Sequence, residues 1–305
     1  FEKFHLNWEF SWPWLNLGNV FSERIDWIQW YEYTGVFGGS LWVLCANFLL
    51  FNLLKKYSSF NDKRRFYIRI IPRILLISIP IFISFLVKPN LNKGEEFKVL
   101  ITQPKIDPWE SKYGTSKNNL DYFKIFKDLT NEELRANEYD FVFTPETYFS
   151  EGYGENLDYF GYTKLHDSLY NYLNQFQNTN LISGIQFYKL YQNQKEKPTK
   201  SANLVRDNIW VDYFNSSINI SANEGFEYNH KTKLVVGSEY MPFKSFLEPI
   251  IGTVMIDLGG TIRSMGTQHD SERKVFNHSK KDLRTIPIVC YETIDGEYVA
   301  NYVDL

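Results

Sequence analysis

Residues 285–293 read Thr285-Ile286-Pro287-Ile288-Val289-Cys290-Tyr291-Glu292-Thr293. A β-branched apolar run stops at a cysteine, and an aromatic and a carboxylate follow at once. That pattern predicts a buried strand delivering a thiol into a polar cleft. The bland reading of Cys290 is a small core residue, and two further stretches weigh against it. Thr144-Pro145-Glu146-Thr147 closes the apolar run 140–143 and puts a carboxylate at a strand end. Residues 228–243, YNHKTKLVVGSEYMPF, carry Lys231, Lys233 and Glu239 in what reads as one loop. A thiol, an acid able to act as base and an ammonium are a complete set for acyl transfer.

The order Glu146, Lys231, Cys290, in the contexts TPET, YNHKTKLVVGSEYMPF and VCYE, resembles the carbon-nitrogen hydrolase (nitrilase) superfamily over residues 97–305. Within it the chain is most similar to the membrane-anchored apolipoprotein N-acyltransferase family, because of what precedes residue 97. The resemblance implies an α/β fold, a nitrilase-like αββα sandwich, here C-terminally truncated and attached to a transmembrane α-helical region. The chain opens on Phe1 with no signal-peptide pattern and reads as a piece of something longer.

The resemblance also implies roles. Cys290 is the nucleophile, Glu146 the base, and Lys231 the oxyanion stabiliser, aided by a backbone N–H near Tyr291. The family lysine lies three residues before the leucine of Leu-Val and eight before the glutamate, here Leu234 and Glu239, which favours Lys231 over Lys233. Glu239 is expected to orient Lys231 or share protons with Glu146, and Glu292 to brace the loop behind the nucleophile; a solvated or salt-bridged glutamate is the alternative for each. Tyr291 and Tyr113 are candidates to line an acyl pocket, with Trp109 an equal to Tyr113. Phe243 and Phe246 belong to an apolar patch, residues 243–251, that reads either as a lid dipping into a bilayer or as a core helix. Val236-Gly237-Ser238 departs from the Pro-Phe-Gly of many relatives.

The implied reaction takes an acyl chain from a membrane phospholipid through a thioester on Cys290 to the N-terminal amine of a diacylglyceryl-cysteine apolipoprotein. No metal or organic cofactor is expected, and the working unit is expected to be a monomer at the bilayer. A membrane-tethered amidase or nitrilase using the same three residues is the alternative enzyme. A catalytically dead, lipoprotein-binding scaffold is the non-enzyme one.

Composition bounds these readings. A net charge of −3 gives no general attraction to nucleic acid. The two cysteines, Cys45 and Cys290, lie in segments of different character, which argues against a disulfide framework. His166, His230, His269 and His278 lack metal-ligand spacing, and Gly152-Tyr153-Gly154 is no phosphate loop.

Aromatics make up 18% of the chain and crowd its beginning. Residues 1–32, around Phe10-Ser11-Trp12-Pro13-Trp14, suit a membrane-water interface; an aromatic cluster under a soluble domain is the alternative. Residues 33–54 carry no charge and several small side chains, which predicts a transmembrane helix. Residues 70–87 predict a second, despite Pro72 and Pro80, or a buried helix of a soluble protein. Between them stand Lys55, Lys56, Lys63, Arg64 and Arg65. Under the positive-inside rule that loop is cytoplasmic. Segment 1–32 and the catalytic domain, 97–305, then face the periplasm across a bacterial inner membrane, with residues 33–88 as the two crossings.

Past a polar linker, strands are expected at 97–104, 140–144 and 180–187, and helices at 118–134 and 157–176. After a loop at 192–200, residues 201–205 and 211–220 read as antiparallel strands. The second contains Tyr213-Phe214-Asn215-Ser216-Ser217, similar to the Tyr-Asn-Ser-Ala strand of nitrilase relatives.

Overall fold

The computed structural model describes residues 1–55, 63–89, 96–106, 117–152, 154–222, 225–252 and 264–303. Trp109 and Tyr113 lie outside them, as does most of the basic loop. The chain divides into two compact units, Phe1–Glu95 with Ile294–Glu297, and Glu96–Thr293 with Tyr298–Leu305.

In the first unit a short helix α1 (Glu2–His5) and three 3-10 turns carry the tryptophan-rich segment, which leaves Trp12, Trp14 and Leu15 exposed. Helices α2 (Tyr31–Lys55) and α3 (Lys63–Val87) follow. Gly35, at φ 63° and ψ −176°, kinks α2, a backbone state open to glycine and costly elsewhere. The straight part beyond it is about 30 Å long at 1.5 Å per residue, enough for a bilayer core. Small residues let other groups close in: the Gly18 amide donates to Ser40 Oγ at 2.9 Å and Tyr31 donates to the Gly18 carbonyl at 3.0 Å. Pro80 has no N–H, so the carbonyl four residues earlier, Leu76, loses its helical donor. The Trp42 indole supplies a replacement at 2.8 Å. Ile68, Ile71, Ile74, Ile79, Phe82, Phe85 and Leu86 are exposed. With that exposed row, α3 is long and apolar enough to cross a membrane.

The second unit is built on a seven-stranded mixed sheet. Its strands are β1 (Val99–Ile101), β2 (Phe141–Phe143), β3 (Glu155–Asn156), β4 (Asn180–Gln192), β5 (Asn203–Arg206), β6 (Ile209–Ser221) and β7 (Gly225–His230). The spatial order is β1-β2-β4-β6-β5, with β3 beside β4 and β7 beside β6. β1, β2 and β4 run parallel, which needs the crossovers that carry the helices between them; β4 and β6 pair antiparallel from Leu181↔Ile220 to Gln192↔Ile209.

Side chains alternate across this sheet. Val142, Leu181, Ile185, Phe187, Phe214, Ile218 and Ile220 face a core closed by α4 (Asn119–Ala136) and α5 (Lys164–Leu173). Asn118 caps α4 with a reciprocal capping box to Asp121. Phe141 and Ile182 face the other side, against Phe276 of the hairpin β8 (Phe276–Asn277) and β9 (Arg284–Thr285). Two further helices are α6 (Lys244–Ile251) and α7 (Gly296–Ala300).

The mixed α/β sheet and the two apolar helices are those the sequence implies. Among the described residues the sandwich is one helix layer on one sheet, with the β8–β9 hairpin and irregular segments that include Leu234 and Met265 on the opposite face. Three local expectations change. Helix 157–176 is a 3-10 turn to Tyr162 and then α5, because Thr163 accepts from the His166 amide and restarts the helix as an N-cap. The first part of the expected loop 228–243 is strand, since β7 runs to His230. The expected strand 285–289 ends at Thr285: Pro287 has no amide for a ladder, and Cys290 opens a 3-10 turn, Cys290–Ile294.

Candidate active site

Three chain segments bring the expected groups to the sheet face opposite α4 and α5. The first is the turn after β2. The Thr144 amide donates to the Ile182 carbonyl at 3.0 Å and the Phe149 amide to the Gly184 carbonyl at 3.1 Å, so the turn is laced along β4. Thr147 sits in the left-handed region at φ 47°. Glu146, carried between these ties, accepts from Asn215 Nδ2 at 2.6 Å.

The second segment is the exit of β7. His230 stacks on Phe214 with ring centroids 4.3 Å apart and has Nδ1 2.6 Å from Ser216 Oγ. Burial first, then the nearby Lys274 charge, depress its pKa to about 3, so the ring is neutral. With His230 anchored in the core, Lys231 must turn to the other face. Its amide donates to the Asn215 carbonyl at 2.8 Å. The Lys231 side chain is 1% exposed, with Nζ 2.9 Å from Glu239 Oε1 and 3.9 Å from Glu146 Oε1. Burial alone would lower the lysine pKa, yet the Glu239 and Glu146 charges and the Glu239 hydrogen bond outweigh it and hold the pKa above its ordinary value. Glu239 is itself fixed by the Val235 amide at 2.7 Å. Lys233 lies over the Tyr298 ring, 5.7 Å from its centroid, so the lysine between the carboxylates is Lys231.

The third segment carries Cys290. The residue has φ 50°, a left-handed backbone that costs a non-glycine residue about 1–3 kcal/mol and recurs at functional turns. The residue is exposed overall, and its half-buried thiol lines the same cleft as the Glu146 carboxylate. Burial first and the Glu146 carboxylate second raise the thiol pKa, against the lowering effect of Lys231. The resting thiol is therefore protonated at neutral pH, and a base must take its proton.

Glu292, fully buried, ties the second and third segments together. One carboxylate oxygen accepts from the Val289 amide at 2.8 Å. The other accepts from the Thr232 amide at 2.7 Å, Thr232 Oγ1 at 3.0 Å, the Lys233 amide at 3.4 Å and the Tyr298 hydroxyl at 2.8 Å. These donors solvate the charge in place of water.

A cleft of about 180 Å³ opens at this face, lined among others by Phe143, Glu146, Gly184, Ser217, Ile286 and Cys290. Tyr291 is buried and does not line it. Phe243 and Phe246 do not line it either. They belong to α6 and its N-cap, where Phe246, Ile250 and Ile251 are exposed among the described residues. The sequence reading missed Asn215, Thr232 and Tyr298. Asn215 and Thr232 sat inside quoted stretches; Tyr298 carries no signal of its own.

A curated apolipoprotein N-acyltransferase from Chlorobaculum tepidum is 24% identical over 311 aligned residues, covering 99% of this chain and 55% of the relative. The chain is similar to apolipoprotein N-acyltransferase. It spans about half the length of that relative. No protein-family model matches. Among solved structures, a Saccharomyces cerevisiae member of branch 10 of the nitrilase superfamily aligns with TM-score 0.37 and 12% identity, covering 68% of this chain and 61% of that one. A glutamine-dependent NAD+ synthetase from Acinetobacter baumannii aligns with TM-score 0.37 and 13% identity over 69% and 31%. An N-terminal amidase aligns with TM-score 0.29 and 15% identity over 46% and 28%.

Proposed function

We propose that the chain transfers an acyl group from a membrane phospholipid to the N-terminal amine of a diacylglyceryl-cysteine apolipoprotein. Glu146 takes the Cys290 proton as sulfur attacks the ester carbonyl. Lys231 stabilises the oxyanion, the carbon–oxygen bond breaks, and the lysophospholipid leaves with the proton from Glu146. The acceptor amine then attacks the thioester, Glu146 takes its proton, the carbon–sulfur bond breaks, and the proton passes to the departing thiolate. The observation that carries this reading is the Cys290 thiol and the Glu146 carboxylate lining one cleft, with the buried Lys231 ammonium 3.9 Å behind that carboxylate, in a chain with two membrane-length helices. The relative's name supplies the apolipoprotein acceptor and the transfer of an acyl group to nitrogen, and the sequence resemblance supplies the phospholipid donor. In this reading the bilayer is a bacterial inner membrane, with residues 1–32 and 97–305 on its periplasmic side.

The test is to acylate the protein and chase it with diacylglyceryl-cysteine peptide, unlipidated peptide or buffer. Transfer to the lipidated amine well above loss to water is expected. Release as free acid at equal rates in all three would turn the reading toward a hydrolase.

The open apolar face of α6 fits a segment that dips into lipid. Phe246→Asp with Ile250→Asp is expected to lower activity on bilayer substrates about tenfold while sparing detergent-dispersed ones. Equal activity on both would remove the membrane role of α6.

A further inference from the structure

Gly184 lies in β4, directly beneath the turn that carries Glu146. A Cβ built there would stand 2.4 Å from the Pro145 carbonyl oxygen, 2.4 Å from the Thr147 nitrogen and 2.7 Å from the Glu146 carbonyl carbon. All three are backbone atoms, so no side chain can swing aside to make room. The turn is tied at both ends to the same strand: Thr144 Oγ1 is 2.6 Å from Ser183 Oγ, and the Phe149 amide donates to the Gly184 carbonyl. Gly184 also lines the cleft beside Glu146 and Cys290.

We infer that Gly184 is a positioning residue: its missing side chain lets the 145–147 backbone lie on the sheet and sets the height of Glu146 over the Cys290 thiol. This rests on Glu146 acting as base to Cys290 in the proposed reaction. Any larger residue at 184 lifts the turn by about 1 Å to restore normal contact distances. A displacement of that size at a proton-transfer group lowers the rate about 100-fold.

The test uses the full chain in detergent and follows alkylation of Cys290 by iodoacetamide against pH, read by mass on the Cys290 peptide so that Cys45 does not interfere. Glu146 raises the thiol pKa in the native site. Glu146→Gln should therefore move the alkylation limb to lower pH. Gly184→Ala should move it the same way, and the double variant should move it no further than Glu146→Gln alone. A loss of activity in Gly184→Ala with the wild-type limb, or additive shifts in the double variant, would overturn the inference. No shift in Glu146→Gln would instead overturn the assignment of Glu146 as base. If Gly184→Ala does not fold, Ser183→Ala removes the side-chain tie of the turn at Thr144, leaving its amide on the Ile182 carbonyl, without adding an atom. It should give a smaller shift in the same direction, and an unmoved limb there also overturns the inference.

Discussion

Lys231→Met is expected to slow acyl-enzyme formation by about 100- to 1,000-fold, the loss typical of a single oxyanion donor. It should also weaken the fold. The methionine fills similar volume, but Glu239 loses its ion pair at 2.9 Å and Glu146 its partner at 3.9 Å. Breaking a buried pair from one side costs about 3–5 kcal/mol; Glu146 is 38% exposed, which discounts its share. We expect about 2–3 kcal/mol in denaturant unfolding. The pH dependence follows from the sign of the shift. A lysine whose folded pKa lies above the ordinary 10.5 contributes its full stabilisation below 10.5 and loses it as pH rises through the folded value. The stability difference between Lys231→Met and the native chain should therefore be undiminished at neutral pH and shrink only in strong alkali. Lys233→Met should leave both rate and stability near native values, since its ammonium lies over the Tyr298 ring.

Glu292→Leu is expected to have the second large effect, for a different reason. The leucine removes the acceptor for the amides of Val289, Thr232 and Lys233 and for two hydroxyls, all in a buried place. Each unsatisfied donor costs about 1–3 kcal/mol, so a loss of 3 kcal/mol or more is expected in unfolding, roughly the share of a marginal domain that decides whether it folds. Glu292→Gln separates positioning from bulk stability. Its oxygen can still serve Thr232 and Tyr298, while its NH₂ meets the Val289 amide donor to donor. The lysine loop stays in place and the cysteine turn is released. Acyl-enzyme formation should fall at least tenfold with only a modest change in unfolding. Native rates in Glu292→Gln would show that the turn needs no such tie.

Much of this architecture was legible from residue types. Charge-free, small-residue stretches announced α2, and the polar linker marked where the second unit begins. Glu146 and Cys290 drew attention because each stands just past an apolar run, and both line the same cleft. Other parts were not. β7 alternates Phe226-Glu227-Tyr228-Asn229-His230, with Phe226 and Tyr228 on the core, but the run is short and continues into the polar HKTK stretch, so residues 228–243 read as one loop. The run before Cys290 has strand composition, but Pro287 breaks the ladder. The bond between Glu292 and Thr232 spans 60 residues, and no local pattern announces a contact set by the meeting of two turns. The demand for glycine at 184 is likewise invisible until the 145–147 backbone is seen lying on it.

The central claim is that Cys290 holds the acyl chain between donor and acceptor. The most direct measurement is the mass of the Cys290 peptide after incubation with phospholipid and no acceptor. The account predicts an added acyl chain on Cys290, removed by hydroxylamine as a thioester is, and absent in Cys290→Ala. Product formation with Cys290 unmodified, or an acyl chain found on another residue, would contradict it.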